Sequence, residues 1–139
     1  MLKVRIIAVG RLKDKHYADA CAEYIKRLSA FCTVEVIETE EGKDILPKIP
    51  AGTTIVLDSH GENITSQDFA RKIADIQLKD SAVNFVIGGS DGLPDAVKAK
   101  ASYMLSFGRM TYPHRLARVM LLEQVYRAFM INAGRAYHK

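Results

Sequence analysis

Short β-branched runs alternate along this chain with stretches whose apolar residues recur at helical spacing, and that alternation restricts the fold more than any other feature. Lys3–Val9, Thr33–Glu38, Thr53–Asp58, Val83–Ile87 and Tyr103–Phe107 read as strands. Between Lys15 and Leu28, the residues Tyr17, Ala20, Cys21, Tyr24, Ile25 and Leu28 mark one face of a helix. Thr65 with Asp68 resembles a capping box, and Phe69, Ile73, Ile76 and Leu78 mark the helix that follows. Pro94–Ala101 is expected as a short helix, with its proline in the first turn, and Leu116–Asn132 as a long one closed by Gly134. Thr39–Pro50 is expected as a loop with at most a short helix, and Ser59–Asn63 as a polar turn. Strands alternating with helices predict an α/β fold, a mostly parallel sheet with helices on both faces. Its 139 residues suit one domain spanning 1–139.

No stretch approaches the roughly 18 apolar residues a membrane span needs. The opening MLKVRIIAVGRLK is broken by charge and reads as a first strand rather than a leader. Cys21 and Cys32 make neither a disulfide framework nor a metal spacing, and a reducing cytoplasm fits them best. His16, His60, His114 and His138 have no metal-ligand spacing, so no metal site is expected. Charge is uneven: residues 1–28 carry a net +4, residues 29–104 a net −5 and residues 105–139 a net +5. If the two basic ends meet in space they form a surface suited to a phosphate-rich partner; scattered solvated charge is the alternative.

Two loops stand out. Gly88-Gly89-Ser90-Asp91-Gly92 leaves a strand and enters a helix, a context in which glycines let backbone approach a ligand. It is neither the dinucleotide fingerprint nor a Walker loop. The second is Phe107–His114, shaped by Gly108 and Pro113, which again joins a strand end to a helix start. Either loop is also compatible with an ordinary βα connection. No nucleophile elbow is present, and neither cysteine has a histidine nearby in sequence.

Taken together, FVIGGSDGL (Phe85–Leu93), LSFGRMTYPHRLAR (Leu105–Arg118), EQVYRAF (Glu123–Phe129) and the terminal AYHK (Ala136–Lys139) closely resemble the RlmH (YbeA-like) family. These are SPOUT-class enzymes that methylate pseudouridine in large-subunit ribosomal RNA. The segments around Ile6–Leu12 and Thr54–Asp58 resemble the family too, so the likeness spans nearly the whole chain, although the stretch after the second strand is shorter than in the family.

That resemblance implies a C-terminal trefoil knot holding S-adenosylmethionine. Matched motif by motif, the cofactor residues are Leu57, Gly88 and Gly89, and the loop Phe107, Gly108, Arg109, Met110, Thr111 and Tyr112. Candidates for taking the proton or orienting the target are His114, Tyr137 and His138, while Arg118 and Arg127 are candidates for holding RNA phosphate or stabilising the deprotonated base. The implied reaction is methylation of N3 of a pseudouridine in 23S ribosomal RNA, with the RNA presented in the assembled ribosome. The implied assembly is a homodimer in which the tail of one chain completes the other's pocket, and Leu121, Leu122 and Met130 suit either its interface or the core. A Rossmann-type nucleotide enzyme and a noncatalytic RNA-binding module are the alternatives.

Overall fold

The computed structural model describes residues 1–139. Five strands, β1 (Leu2–Val9), β2 (Cys32–Thr39), β3 (Thr53–Glu62), β4 (Ala82–Ile87) and β5 (Tyr103–Leu105), form one sheet in the order β2-β1-β4-β3-β5. Every pairing is parallel. Four helices connect and follow them: α1 (Lys15–Leu28), α2 (Ser66–Lys79), α3 (Asp95–Ala99) and α4 (His114–Asn132). A single 3-10 turn at Leu46–Lys48 is the only regular structure between β2 and β3, as the polar, proline-rich sequence there leads one to expect.

The period of two in β1 sorts its side chains onto two faces. Val4, Ile6 and Ala8 pack with Phe85, Phe69, Ile73 and Leu121 under α1, α2 and α4. Ile7 and Val9 pack on the other face with Val56, Val86, Ile45, Ile49 and Val97, under α3 and the β2–β3 connection. Central β4 is covered on both faces, so all six of its residues are buried and none is charged. The sheet therefore has helices on both faces, three on one side and the short α3 on the other.

Element ends differ from the sequence reading in instructive ways. Ser59–Gly61 is no turn: β3 runs on to Glu62, and Leu105 of β5 pairs with both Leu57 and Glu62 across a register shift. Gly61 permits this, since a Cβ there would stand 2.7 Å from the carbonyl of Met104. β5 stops at Leu105 rather than Phe107 because the Ser106 hydroxyl bonds the Gly108 N–H and carbonyl, turning the chain out of the sheet. α4 begins at His114, two residues before the expected Leu116, with Pro113 at its cap; Pro94 likewise caps α3 from outside. Thr65 accepts from the Asp68 N–H at 3.0 Å, as the capping box predicts. Gly134, at φ +68°, ends α4 with Arg135 N–H donating to the Met130 carbonyl at 2.9 Å. Leu78, read as a core position, is 86% exposed, because it falls off the face carrying Phe69, Ile73 and Ile76.

α4 packs against both α1 and α2. Leu121, Leu122 and Met130 lie in the core between them, so within one chain they are core residues and offer no exposed interface.

Candidate active site

In open α/β sheets, ligands settle beyond the strand C-terminal ends where neighbouring connections leave on opposite faces. β4 meets that condition on both sides. Its connection to α3 leaves on one face, while β1 and β3 lead into α1 and α2 on the other. At this position lies a cavity of about 420 Å³, within the roughly 300–1,000 Å³ typical of small-molecule sites.

Its wall gathers Leu57, Gly88, Gly89, Phe107, Gly108, Met110, Thr111, Tyr112 and His114 from separate segments. Arg109, expected among them, is exposed and does not line it. In the loop Arg109–Tyr112 no backbone N–H donates to a protein acceptor, which leaves a row of amides beside an apolar wall of Leu57, Ile87, Leu93 and Phe107. The two glycines serve the loop in a way the sequence did not show. A Cβ on Gly88 would stand 2.8 Å from the Gly92 carbonyl carbon, so the space it leaves is filled by the loop's own return rather than by a ligand. A Cβ on Gly89 would stand 2.6 Å from Glu41 Oε1.

Asp58 and Lys98 also line this cavity. Asp58 is 10% exposed at its side chain, accepts from the His60 N–H at 2.8 Å and pairs with Lys98 Nζ at 2.9 Å. The His60 amide first, and Lys98 second, hold the Asp58 carboxyl below its usual range. Asp58 was legible as an acid at a strand C-terminal end; Lys98, forty residues on, had no signal in sequence.

The proposed catalytic residues divide. His114, in the first turn of α4, lines the cavity. Arg118 does not reach it: at 3% exposure it pairs with Glu38 at 2.6 Å and donates to the Gly10 carbonyl at 3.3 Å, clamping α4 to the ends of β1 and β2. Those partners hold the Arg118 guanidinium in the interior, away from the cavity wall. Arg127, Tyr137 and His138 do come together, around Glu123. The Arg127 guanidinium donates to Glu123 from Nε and Nη2, at 3.2 and 2.9 Å, and the Tyr137 hydroxyl donates at 2.7 Å. Arg127 Nη1 lies 3.0 Å from His138 Nδ1; arginine only donates, so that nitrogen accepts. Burial first, then the Glu123 carboxylate, push the Tyr137 phenol well above its ordinary value.

This cluster is remote from the first cavity. His114 and Arg127 are thirteen residues apart on one helix, about 20 Å at 1.5 Å per residue. Glu123 instead borders a second cavity, of about 510 Å³, between α2 and α4, with Asn63, Ser66, Phe69 and Gln124. Phe107 and Gly108 lie in the walls of both. The first cavity, with strand ends and free amides, is the better cofactor site of the two.

The basic ends meet only in part. α1 packs on α4, but Arg115 pairs with Asp14, Arg118 with Glu38, Arg127 with Glu123 and Arg27 with Glu23. Arg109, Arg135 and Lys139 form no ion pair, and all three are exposed.

Residues 2–138 match the family described as "Predicted SPOUT methyltransferase". The chain belongs to the SPOUT methyltransferase family. This bears out the resemblance drawn from the loop and tail motifs. Two proteins named ribosomal RNA large subunit methyltransferase H are similar over essentially their whole length. That of Clostridium acetobutylicum is 42% identical, covering 99% of this chain and 100% of its own. That of Oenococcus oeni is 43% identical and covers both chains completely. These alignments run over 159 and 160 positions against 139 residues here, so the relatives carry residues this SPOUT chain lacks. Among solved structures, a probable methylase family protein from Haemophilus influenzae Rd KW20 superposes with a TM-score of 0.64 at 11% identity, over 98% of this chain and 70% of that one. The SpoU methyltransferase AviRb from Streptomyces viridochromogenes, solved in complex with AdoMet, superposes at 0.52 and 14% identity, over 93% of this chain and 58% of that one. At these identities the likeness establishes the fold.

Proposed function

We propose that this chain transfers a methyl group from S-adenosylmethionine to N3 of a pseudouridine in large-subunit (23S) ribosomal RNA, acting on the assembled ribosome in the cytoplasm. The observation that carries the reading is the cavity beyond β4, where Leu57, Gly88, Gly89 and the Phe107–Tyr112 loop converge from separate segments. The full-length relatives named for large-subunit ribosomal RNA methylation supply the substrate class. The AdoMet complex of a protein with the same fold supports the cofactor.

The residues present fit that cofactor. Apolar side chains of Leu57, Leu93 and Phe107 suit an adenine face, and the unpaired amides of Arg109–Tyr112 suit its ring nitrogens and the carboxylate of its amino-acid end. The cofactor supplies a methyl group already activated by a sulfonium charge. The protein's task is to orient the target nitrogen, exclude water and remove its proton. His114 is the one proposed proton acceptor that lines this cavity.

We further propose one domain over residues 1–139, knotted at its C-terminal end, and a homodimer. After β5 at the sheet edge the chain returns across the strand ends to place α4 between α1 and α2, the course a knotted C-terminus would take. Arg127 lies ten residues, about 15 Å, along α4 from Ala117, the last residue of that helix in its own chain's cavity wall, so a second copy offers the Arg127–Tyr137–His138 cluster a route to a cofactor site.

Labelled S-adenosylmethionine incubated with ribosomes lacking the modification, followed by mapping of the labelled base, tests the activity. Label at N3 of a large-subunit pseudouridine is expected. Thermal stabilisation by S-adenosylmethionine without transfer to any RNA overturns the substrate; the absence of any cofactor response overturns the site.

A further inference from the structure

The loop after β2 delivers a carboxylate to the rim of the proposed cofactor cavity. Gly10 N–H donates to the Thr39 carbonyl at 2.6 Å, fixing the exit of β2 against that of β1, and Gly42, at φ +80°, turns the chain just after Glu41. A Cβ on Gly89 would lie 2.6 and 2.8 Å from the two Glu41 carboxylate oxygens. A Cβ on Gly10 would lie 3.6 Å from Glu41 Oε1 and 3.8 Å from His114 Nε2. The Glu41 carboxylate therefore fills the space a side chain on Gly89 would take, and faces the His114 ring across the space left by Gly10.

Neighbouring carboxylates are committed elsewhere. Glu38 is held by Arg118 and the Leu12 N–H, Asp14 by Arg115, and Asp58 by Lys98. The Glu41 carboxylate takes part in no ion pair, and the His114 ring in no hydrogen bond. Glu41 Oε1 faces the Nε2 edge of the His114 ring across this space without bonding it, and a carboxylate so placed balances the charge that the ring gains with a proton.

We infer that Glu41 is a positioning residue for His114 in proton removal from the attacking nitrogen, an inference that rests on the proposed methyl transfer. The N–H bond breaks and its proton passes to His114 Nδ1, the ring nitrogen opposite the one that faces Glu41. The nitrogen's electron pair forms the new bond to the methyl carbon, and the pair of the broken S–C bond stays on sulfur. The imidazolium is stabilised by the Glu41 carboxylate until it releases the proton to solvent.

The test combines ligand-free and kinetic measurements. In the protein without ligand, Glu41→Gln is expected to move the ring resonances of His114, whereas Glu40→Gln leaves them in place. In turnover, Glu41→Gln is expected to lower kcat by on the order of tenfold or more, leave S-adenosylhomocysteine affinity within about twofold, and be rescued in part by Glu41→Asp. Because Glu41 acts through His114, adding Glu41→Gln to His114→Asn should cost no further activity. Unmoved ring resonances, or losses that simply add, overturn the pairing. Weakened S-adenosylhomocysteine binding at unchanged kcat also overturns it and makes Glu41 a cofactor contact. The resonance measurement stands whether or not ribosomal RNA proves to be the substrate, so failure of the pair and failure of the proposed reaction are distinguishable.

Discussion

Asp58 shows how one side chain can shape both the site and the stability of the fold. Its carboxyl is held below its usual range by the His60 amide and by Lys98, so its favourable contribution is present above the unfolded value and fades as pH falls through the folded one. Wild-type protein should therefore lose stability as pH is lowered from about 5 to below 3.8, and Asp58→Asn should lose less over that window. At pH 7 the same substitution is expected to cost roughly 1–3 kcal/mol, because Lys98 loses its charged partner. Urea unfolding of both proteins at pH 7 and pH 3 measures both effects, and parallel curves at the two pH values would remove the assignment. Residue roles were the least legible part of the sequence. Arg118 and Arg127 read alike as free cations on a basic helix, yet one is buried against Glu38 and the other is forked onto Glu123. What separates them is which partner the fold brings within reach, and those partners lie eighty and four residues away.

At the scale of elements, the contact between β3 and β5 has the smallest tolerance. Gly61→Ala would place a methyl 2.7 Å from the backbone of Met104, which cannot step aside without breaking the pairing at Leu105. A loss of about 1–3 kcal/mol is expected, with weaker S-adenosylmethionine binding, because β5 carries the Phe107–Tyr112 loop. Leu78→Ser, on an 86% exposed side chain, is the control and should stay within about 0.5 kcal/mol. Urea midpoints and calorimetry of cofactor binding check both, and an undisturbed Gly61→Ala would show the two strands free to separate. Strand and helix positions were legible because their hydrophobic period is written locally, as in the run Val83–Ile87 and the Thr65–Asp68 cap. The extension of β3 through Ser59–Gly61 was not, since those polar, glycine-containing residues read as a turn until β5 is placed beside them. The cavity was half legible. Its loops carried glycine and proline signals, whereas Lys98, forty residues from its partner Asp58, carried none.

For the molecule as a whole, the distance between His114 and the Arg127–Tyr137–His138 cluster makes assembly a functional question. Light scattering at micromolar concentration is expected to give a dimer, and RNA binding should weaken steeply with added salt through Arg109, Arg135 and Lys139. A monomer with full activity would leave that cluster a purely structural tie between α4, α2 and the tail. One further consequence follows from the place of α4. Coming after all five strands and the other three helices, α4 supplies Leu121, Leu122, Val125, Ala128, Phe129 and Met130 to the middle of the helical layer, between α1 and α2. Until α4 is made, the nascent chain therefore has two helices with no neighbour between them and an uncovered apolar face on β1 and β4. The helical layer therefore closes only once α4 is available, and slowly, because its contacts join distant segments.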